Sequence, residues 1–126
     1  MAIKGHGVDI VEIARIGEML ALHPERFVVK CFTPGEVAYC GQGATRVERF
    51  AARFAAKEAT LKALGTGWRD GIAWTDIEIA SEPSGRPTLG VSGEAAKIAA
   101  GLGVTRWHIS LSHSKSHAIA SVIAEA

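Results

Sequence analysis

The stretch from Thr45 to Gly65 constrains this chain more than any other. Thr45 with Glu48 three residues on forms a capping box. The residues from Arg46 to Leu64 contain neither Pro nor Gly, and Gly65 stands where helices commonly close in a left-handed residue. A helix over Arg46–Leu64 is expected to run about 28 Å. At 100° per residue with Val47 at zero, Phe54, Ala51, Leu61 and Phe50 fall within about 60° of it and form the core-facing stripe. Glu58 falls at about +20°, inside that stripe, with Lys62 beside it at about +60°. A buried carboxylate without a partner is costly or changes its protonation state. Glu58 therefore asks for a cation, a metal, or Lys62 one turn on in a plain i,i+4 pair.

On the flank of the same helix lie Arg46, Arg53 and Lys57, with Arg49 further round. The row reads either as a solvated face or as a cradle for several phosphates, since arginine forks match phosphate oxygens. The whole chain, by contrast, has a formal net charge of +1 over 126 residues, so a general attraction to nucleic acid or to an anionic membrane is not expected. With 48% hydrophobic and 21% charged residues it has the balance of one globular domain, residues 1–126. No apolar run reaches the ~18 residues of a membrane span, and no signal peptide is visible, so the default compartment is the cytoplasm. Cys31 and Cys40 make neither a disulfide framework nor a zinc quartet.

Around the long helix the pattern alternates between short elements. Ile3 to Asp9 reads as a strand, and Asp9 with Glu12 as a cap opening a helix that runs to about Leu22. A short helix follows Pro24, and Thr33-Pro34-Gly35-Glu36 opens the next with its own capping box. Trp74 to Ala80 and Thr88 to Val91 read as strands joined by the Pro83–Pro87 turn, and Ser92 caps a helix to Gly101. Thr105 to His113 and His117 to Ala124 form a last hairpin, which sets His113 and His117 on a turn rather than on a helical zinc-binding face. The fold class is α+β: a mainly antiparallel sheet packed with one long and several short helices. Asp9 and Glu58 are two carboxylates from separate segments, a donor set Mg²⁺ uses together with phosphate oxygens.

Four ordered segments, Gly7-Val8-Asp9-Ile10-Val11-Glu12, Arg53-Phe54-Ala55-Ala56-Lys57-Glu58-Ala59, Lys62-Ala63-Leu64-Gly65-Thr66-Gly67 and Ile109-Ser110-Leu111-Ser112-His113, resemble the small single-domain 4′-phosphopantetheinyl transferases of the holo-[acyl-carrier-protein] synthase group. The resemblance spans about Ile3 to Glu125. It implies Mg²⁺-dependent transfer of phosphopantetheine from coenzyme A to a serine of apo acyl carrier protein, releasing adenosine 3′,5′-bisphosphate and supporting fatty acid biosynthesis. Mn²⁺ is the alternative ion. It further implies a homotrimer with sites at subunit boundaries, and Asp9 and Glu58 as metal ligands. Asp9, Glu58 and Lys62 are the expected catalytic group, with Glu58 or a metal-held water as base. Arg53, Lys62, Gly65, Arg86, Pro87, His113 and Ser114 are the expected coenzyme A contacts, to which the stripe arithmetic adds Arg46. Arg15 matches the position that touches the acidic carrier. Two positions depart from the family pattern: Arg86 stands where lysine is common, and His117 where tyrosine is frequent. The competing reading is a non-catalytic coenzyme A- or carrier-binding module on the same scaffold. A blander one is an oligomerisation domain in which Glu58 merely pairs with Lys62.

Overall fold

A computed structural model describes residues 2–69 and 71–126. The order is β1 (Ile3–Glu12), α1 (Ile13–Leu22), α2 (Arg26–Cys31), α3 (Pro34–Cys40), α4 (Arg46–Leu64), a 3₁₀ turn at Trp74–Asp76, β2 (Ile77–Ser81), β3 (Pro87–Val91), α5 (Gly93–Gly101), β4 (Arg106–His113) and β5 (His117–Glu125). The antiparallel sheets are β1-β5-β4 and β2-β3. In the larger sheet Asp9 sits opposite Ala120, and Ile10 opposite Ile119.

Small residues determine how this sheet meets α4. Gly5, Gly7, Asp9 and Val11 alternate with exposed neighbours along β1 and face the helix. A Cβ on Gly5 would overlap the main-chain oxygen of Ala63, and one on Gly7 that of Ala59. Glycine thus lets backbone rest on backbone here. Ala118, Ala120, Val122 and Ala124 of β5 are buried in the same layer. A second apolar cluster joins Ile13, Ile16 and Leu20 of α1 with Phe27, Phe32 and Phe50.

Several local expectations change. Asp9 is not a helix cap: β1 continues through it to Glu12, because pairing with β5 supplies a backbone partner at each step. α4 has the expected length and ends in Gly65 at φ 77°, but the Thr45 side chain makes no capping bond. Thr33 does: it accepts from the Glu36 N–H at 3.2 Å while Glu36 accepts from the Thr33 N–H at 2.9 Å. Trp74–Asp76 is a 3₁₀ turn rather than strand. Ser92 makes no side-chain cap, and the Asp76 carboxylate accepts from Ala95 N–H at 3.4 Å instead.

Lys57 overturns the flank reading. It is fully buried and ion-paired to Glu36 at 2.8 Å, so it lies neither on a solvated face nor in a phosphate cradle. α3 and β2 cover that side of α4, which no helical wheel can report. Cys31 and Cys40 are free and buried, and burial pushes the Cys40 thiol up to about 11.

Candidate active site

β1 and α4 bring three of the expected residues together. Asp9, nine-tenths buried, accepts from the Lys62 ammonium at 2.9 Å through Oδ1. Lys62 also donates to the carbonyl of Val8 at 3.0 Å, so the ion pair ties the end of α4 to β1. Glu58 lines the same cavity as Asp9, and its carboxyl is raised above the usual glutamate range by burial and then by the Asp9 charge. Lys62 and Arg15 pull the other way. The simple Glu58–Lys62 pair is not what forms, because Lys62 turns to Asp9. The hydrogen bond from Lys62 to Asp9 in turn raises the lysine above its ordinary value.

The cavity holds about 660 Å³, with Arg15, Phe54, Trp68, Trp74 and His117 among its walls. Asp9 Oδ2 is buried there without a hydrogen-bond partner. A buried carboxylate oxygen left unpaired, beside a second carboxylate carried in an apolar setting, is a donor set suited to a divalent cation. Among the described residues no group of three or more His, Cys, Asp and Glu side chains converges, so the remaining ligands of such an ion would be water or substrate oxygens. Asp9 and Glu58 therefore fit the cation as far as protein donors go.

The other expected contacts lie apart from this cavity. Arg46, at the far end of α4, places its guanidinium over the Phe50 ring at 5.1 Å. Arg53 is buried, packed over the Tyr39 ring at 4.0 Å with Nη2 on Ser81 Oγ at 3.3 Å. Its Nε has no partner. His113 lies 3.5 Å from the Glu48 carboxylate, joining the β4–β5 turn to the start of α4. In that turn Ser114 Oγ accepts from the His117 N–H at 3.1 Å. Arg86 is exposed and, with Pro87, lines a separate groove against Arg106, Trp107 and His108. Gly65 closes α4 below Lys62.

Three participants escaped the sequence reading. Trp68 and Trp74 stack at 6.2 Å between centroids and wall the cavity, and the only sequence signal is a pair of tryptophans six residues apart. Glu36 was legible as a cap but not as the partner of Lys57, since capping accounts for it completely.

The comparisons with known proteins bear on this geometry. A model of the 4′-phosphopantetheinyl transferase superfamily matches residues 5–122. The chain belongs to that superfamily. A member from Koribacter versatilis named holo-[acyl-carrier-protein] synthase is 52% identical over 123 residues, covering 98% of both chains. The crystal structure of the synthase of that name from Neisseria meningitidis superposes with a TM-score of 0.88 at 34% identity, covering 99% of this chain and all of that one. One from Bacillus anthracis, solved in complex with coenzyme A (3′,5′-ADP), gives a TM-score of 0.80 at 36% identity over 97% and 96% of the two chains. The α+β transferase fold expected from the four motifs is the fold observed.

Proposed function

We propose that this chain transfers the 4′-phosphopantetheine group of coenzyme A to a serine hydroxyl of apo acyl carrier protein, with a divalent cation, Mg²⁺ or Mn²⁺, held by Asp9 and Glu58. The observation that carries the reading is the buried, unpaired Asp9 Oδ2 facing a cavity shared with Glu58. In the reaction the serine oxygen forms a bond to phosphorus and the phosphoanhydride bond breaks, releasing adenosine 3′,5′-bisphosphate. When bound, the cation supplies Lewis acidity and charge neutralisation at the diphosphate. Glu58 accepts the serine proton, directly or through a water. Lys62, half-exposed and fixed by the cavity-lining Asp9, stabilises the charge that builds on the phosphoryl oxygens.

Arg46, Arg53, Lys62, Gly65, Arg86, Pro87, His113 and Ser114 are assigned to coenzyme A. Within one chain they are scattered, which suits a site completed between copies in a homotrimer. The outer face of the β1-β5-β4 sheet supports such an assembly, because Ile3, Val8, Ile10 and Ile119 are exposed on it. Arg15 and the adjoining groove, rimmed by His23, Arg26 and Lys30 over Phe27 and Phe54, suit an acidic carrier that inserts an apolar residue. Among the described residues no helix is long and apolar enough to cross a membrane, and the assigned compartment is the cytoplasm.

The test is intact-mass analysis of an apo acyl carrier protein incubated with this protein, coenzyme A and Mg²⁺. The expected result is one phosphopantetheine added, lost with chelator and with Glu58→Ala. An unchanged carrier, with wild type and Glu58→Ala alike, would overturn the assignment.

A further inference from the structure

Outside the cavity lies a buried ion pair, Lys57 with Glu36. Both side chains are fully sealed from solvent. The three protons of the Lys57 ammonium meet three acceptors: Glu36 Oε1 at 2.8 Å, the Trp74 carbonyl at 3.1 Å and the Ile77 carbonyl. Glu36 accepts in addition from the Thr33 N–H at 2.9 Å and from the Ile79 N–H at 2.9 Å. One ion pair thus joins α3, α4, the Trp74–Asp76 turn and β2.

As a source of stability such a pair is weakly motivated, because an apolar pair of the same volume often does as well. Its geometry gives it another use. Lys57 is adjacent in sequence to Glu58, on the same turn of α4, and the carbonyl it holds belongs to Trp74. The Trp74 ring packs on Phe54 at 5.2 Å and on Trp68 at 6.2 Å, and lines the same cavity as the two carboxylates. No hydrogen bond of its own side chain fixes that ring among the described contacts. Its carbonyl is held twice, by the Ile77 N–H that closes the 3₁₀ turn and by the Lys57 ammonium, which ties that turn to α4.

We infer that Lys57, locked by Glu36, is a positioning residue: it sets the distance between Glu58 and the Trp74–Trp68 wall against which the reacting groups lie. Burial pushes the Lys57 ammonium below its ordinary value, and the Glu36 charge pulls the other way. The inference rests on the cavity being the reaction site, as proposed above.

Replacing both partners by apolar residues, Glu36→Leu with Lys57→Met, removes the tether without leaving a lone buried charge. Three readouts are taken on the full chain. Thermal unfolding reports the fold, circular dichroism reports the exciton couplet of the stacked Trp68–Trp74 pair, and transfer kinetics with apo carrier and coenzyme A report function. Expected are a lowered but still cooperative melting transition, since the Thr33 and Ile79 N–H groups lose their acceptor, a couplet reduced at least by half, and kcat lowered roughly ten- to a hundredfold, as for a displaced positioning group. The KM for coenzyme A should stay within about twofold, because among the described contacts no side-chain hydrogen bond or ion pair links Lys57 or Glu36 to the assigned coenzyme residues. A folded double variant with wild-type couplet and wild-type kcat would overturn the inference. So would a loss confined to melting temperature. Should that variant not fold, Glu36→Gln with Lys57→Met keeps an acceptor for one of the Thr33 and Ile79 N–H groups and is read the same way. If wild type itself transfers nothing, the function falls while the couplet still decides whether Lys57 sets the tryptophan wall.

Discussion

Glu58 has two environments to satisfy: an apolar helix stripe and the field of Asp9. Both favour its protonated form, so the folded protein holds that proton more tightly than the unfolded chain does. Stability therefore falls as pH rises through the interval from the ordinary glutamate range up to the raised folded value. Glu58→Gln, which imitates the protonated shape, is expected to unfold at a higher temperature than wild type at neutral pH in the presence of chelator. The gap should close once pH drops below the ordinary glutamate range, and thermal scans across pH measure it. The same side chain was the most legible in the sequence, because a charge inside a helical stripe violates a simple rule and calls for a reason. Lys57 violated no rule visible in one helix. Its burial depends on α3 and β2 folding over it, and Glu36 was already accounted for as a cap. Asp9 was drawn to the wrong local role by an Asp-x-x-Glu pattern that a strand partner over a hundred residues away overrides.

At the scale of elements, the contact between β1 and α4 positions the site. Asp9 reaches Lys62 only because Gly5 and Gly7 let the strand lie on the helix backbone. Gly7→Ala puts a methyl into the Ala59 carbonyl and is expected to cost about 1–3 kcal/mol. It would appear as a lower urea midpoint at unchanged slope, with loss of transfer activity out of proportion to the unfolded fraction. The extent of α4, the Gly65 stop and the Thr33–Glu36 box could all be read from sequence, since each is decided within a few residues. Fourteen glycines in 126 residues point to turns and close backbone approaches, but which backbone each glycine meets is a tertiary fact. The 3₁₀ turn at Trp74–Asp76 was hidden for the same reason: its alternation resembles a strand, whereas the chain bends there to bring the Trp74 carbonyl to Lys57.

For the molecule as a whole, the outer sheet face is the prediction that reaches beyond one chain. Val8→Glu combined with Ile119→Glu places two charges on exposed apolar positions of that face and leaves the α4 side untouched. Sedimentation velocity is expected to show wild type as a trimer and the double variant as a monomer with unchanged far-ultraviolet circular dichroism. Transfer activity should fall with the assembly. The sequence could not show this face, because alternation marks which residues point away from α4 but not what they meet. The two cysteines carry a different consequence. Coenzyme A ends in a reactive sulfhydryl, and an enzyme that handles it risks being captured as a mixed disulfide whenever the surroundings turn oxidising. Here Cys31 and Cys40 are both buried, and burial raises the proton affinity of both thiols, which disfavours the thiolate that exchange requires. The catalyst offers its own substrate no sulfur to trade with.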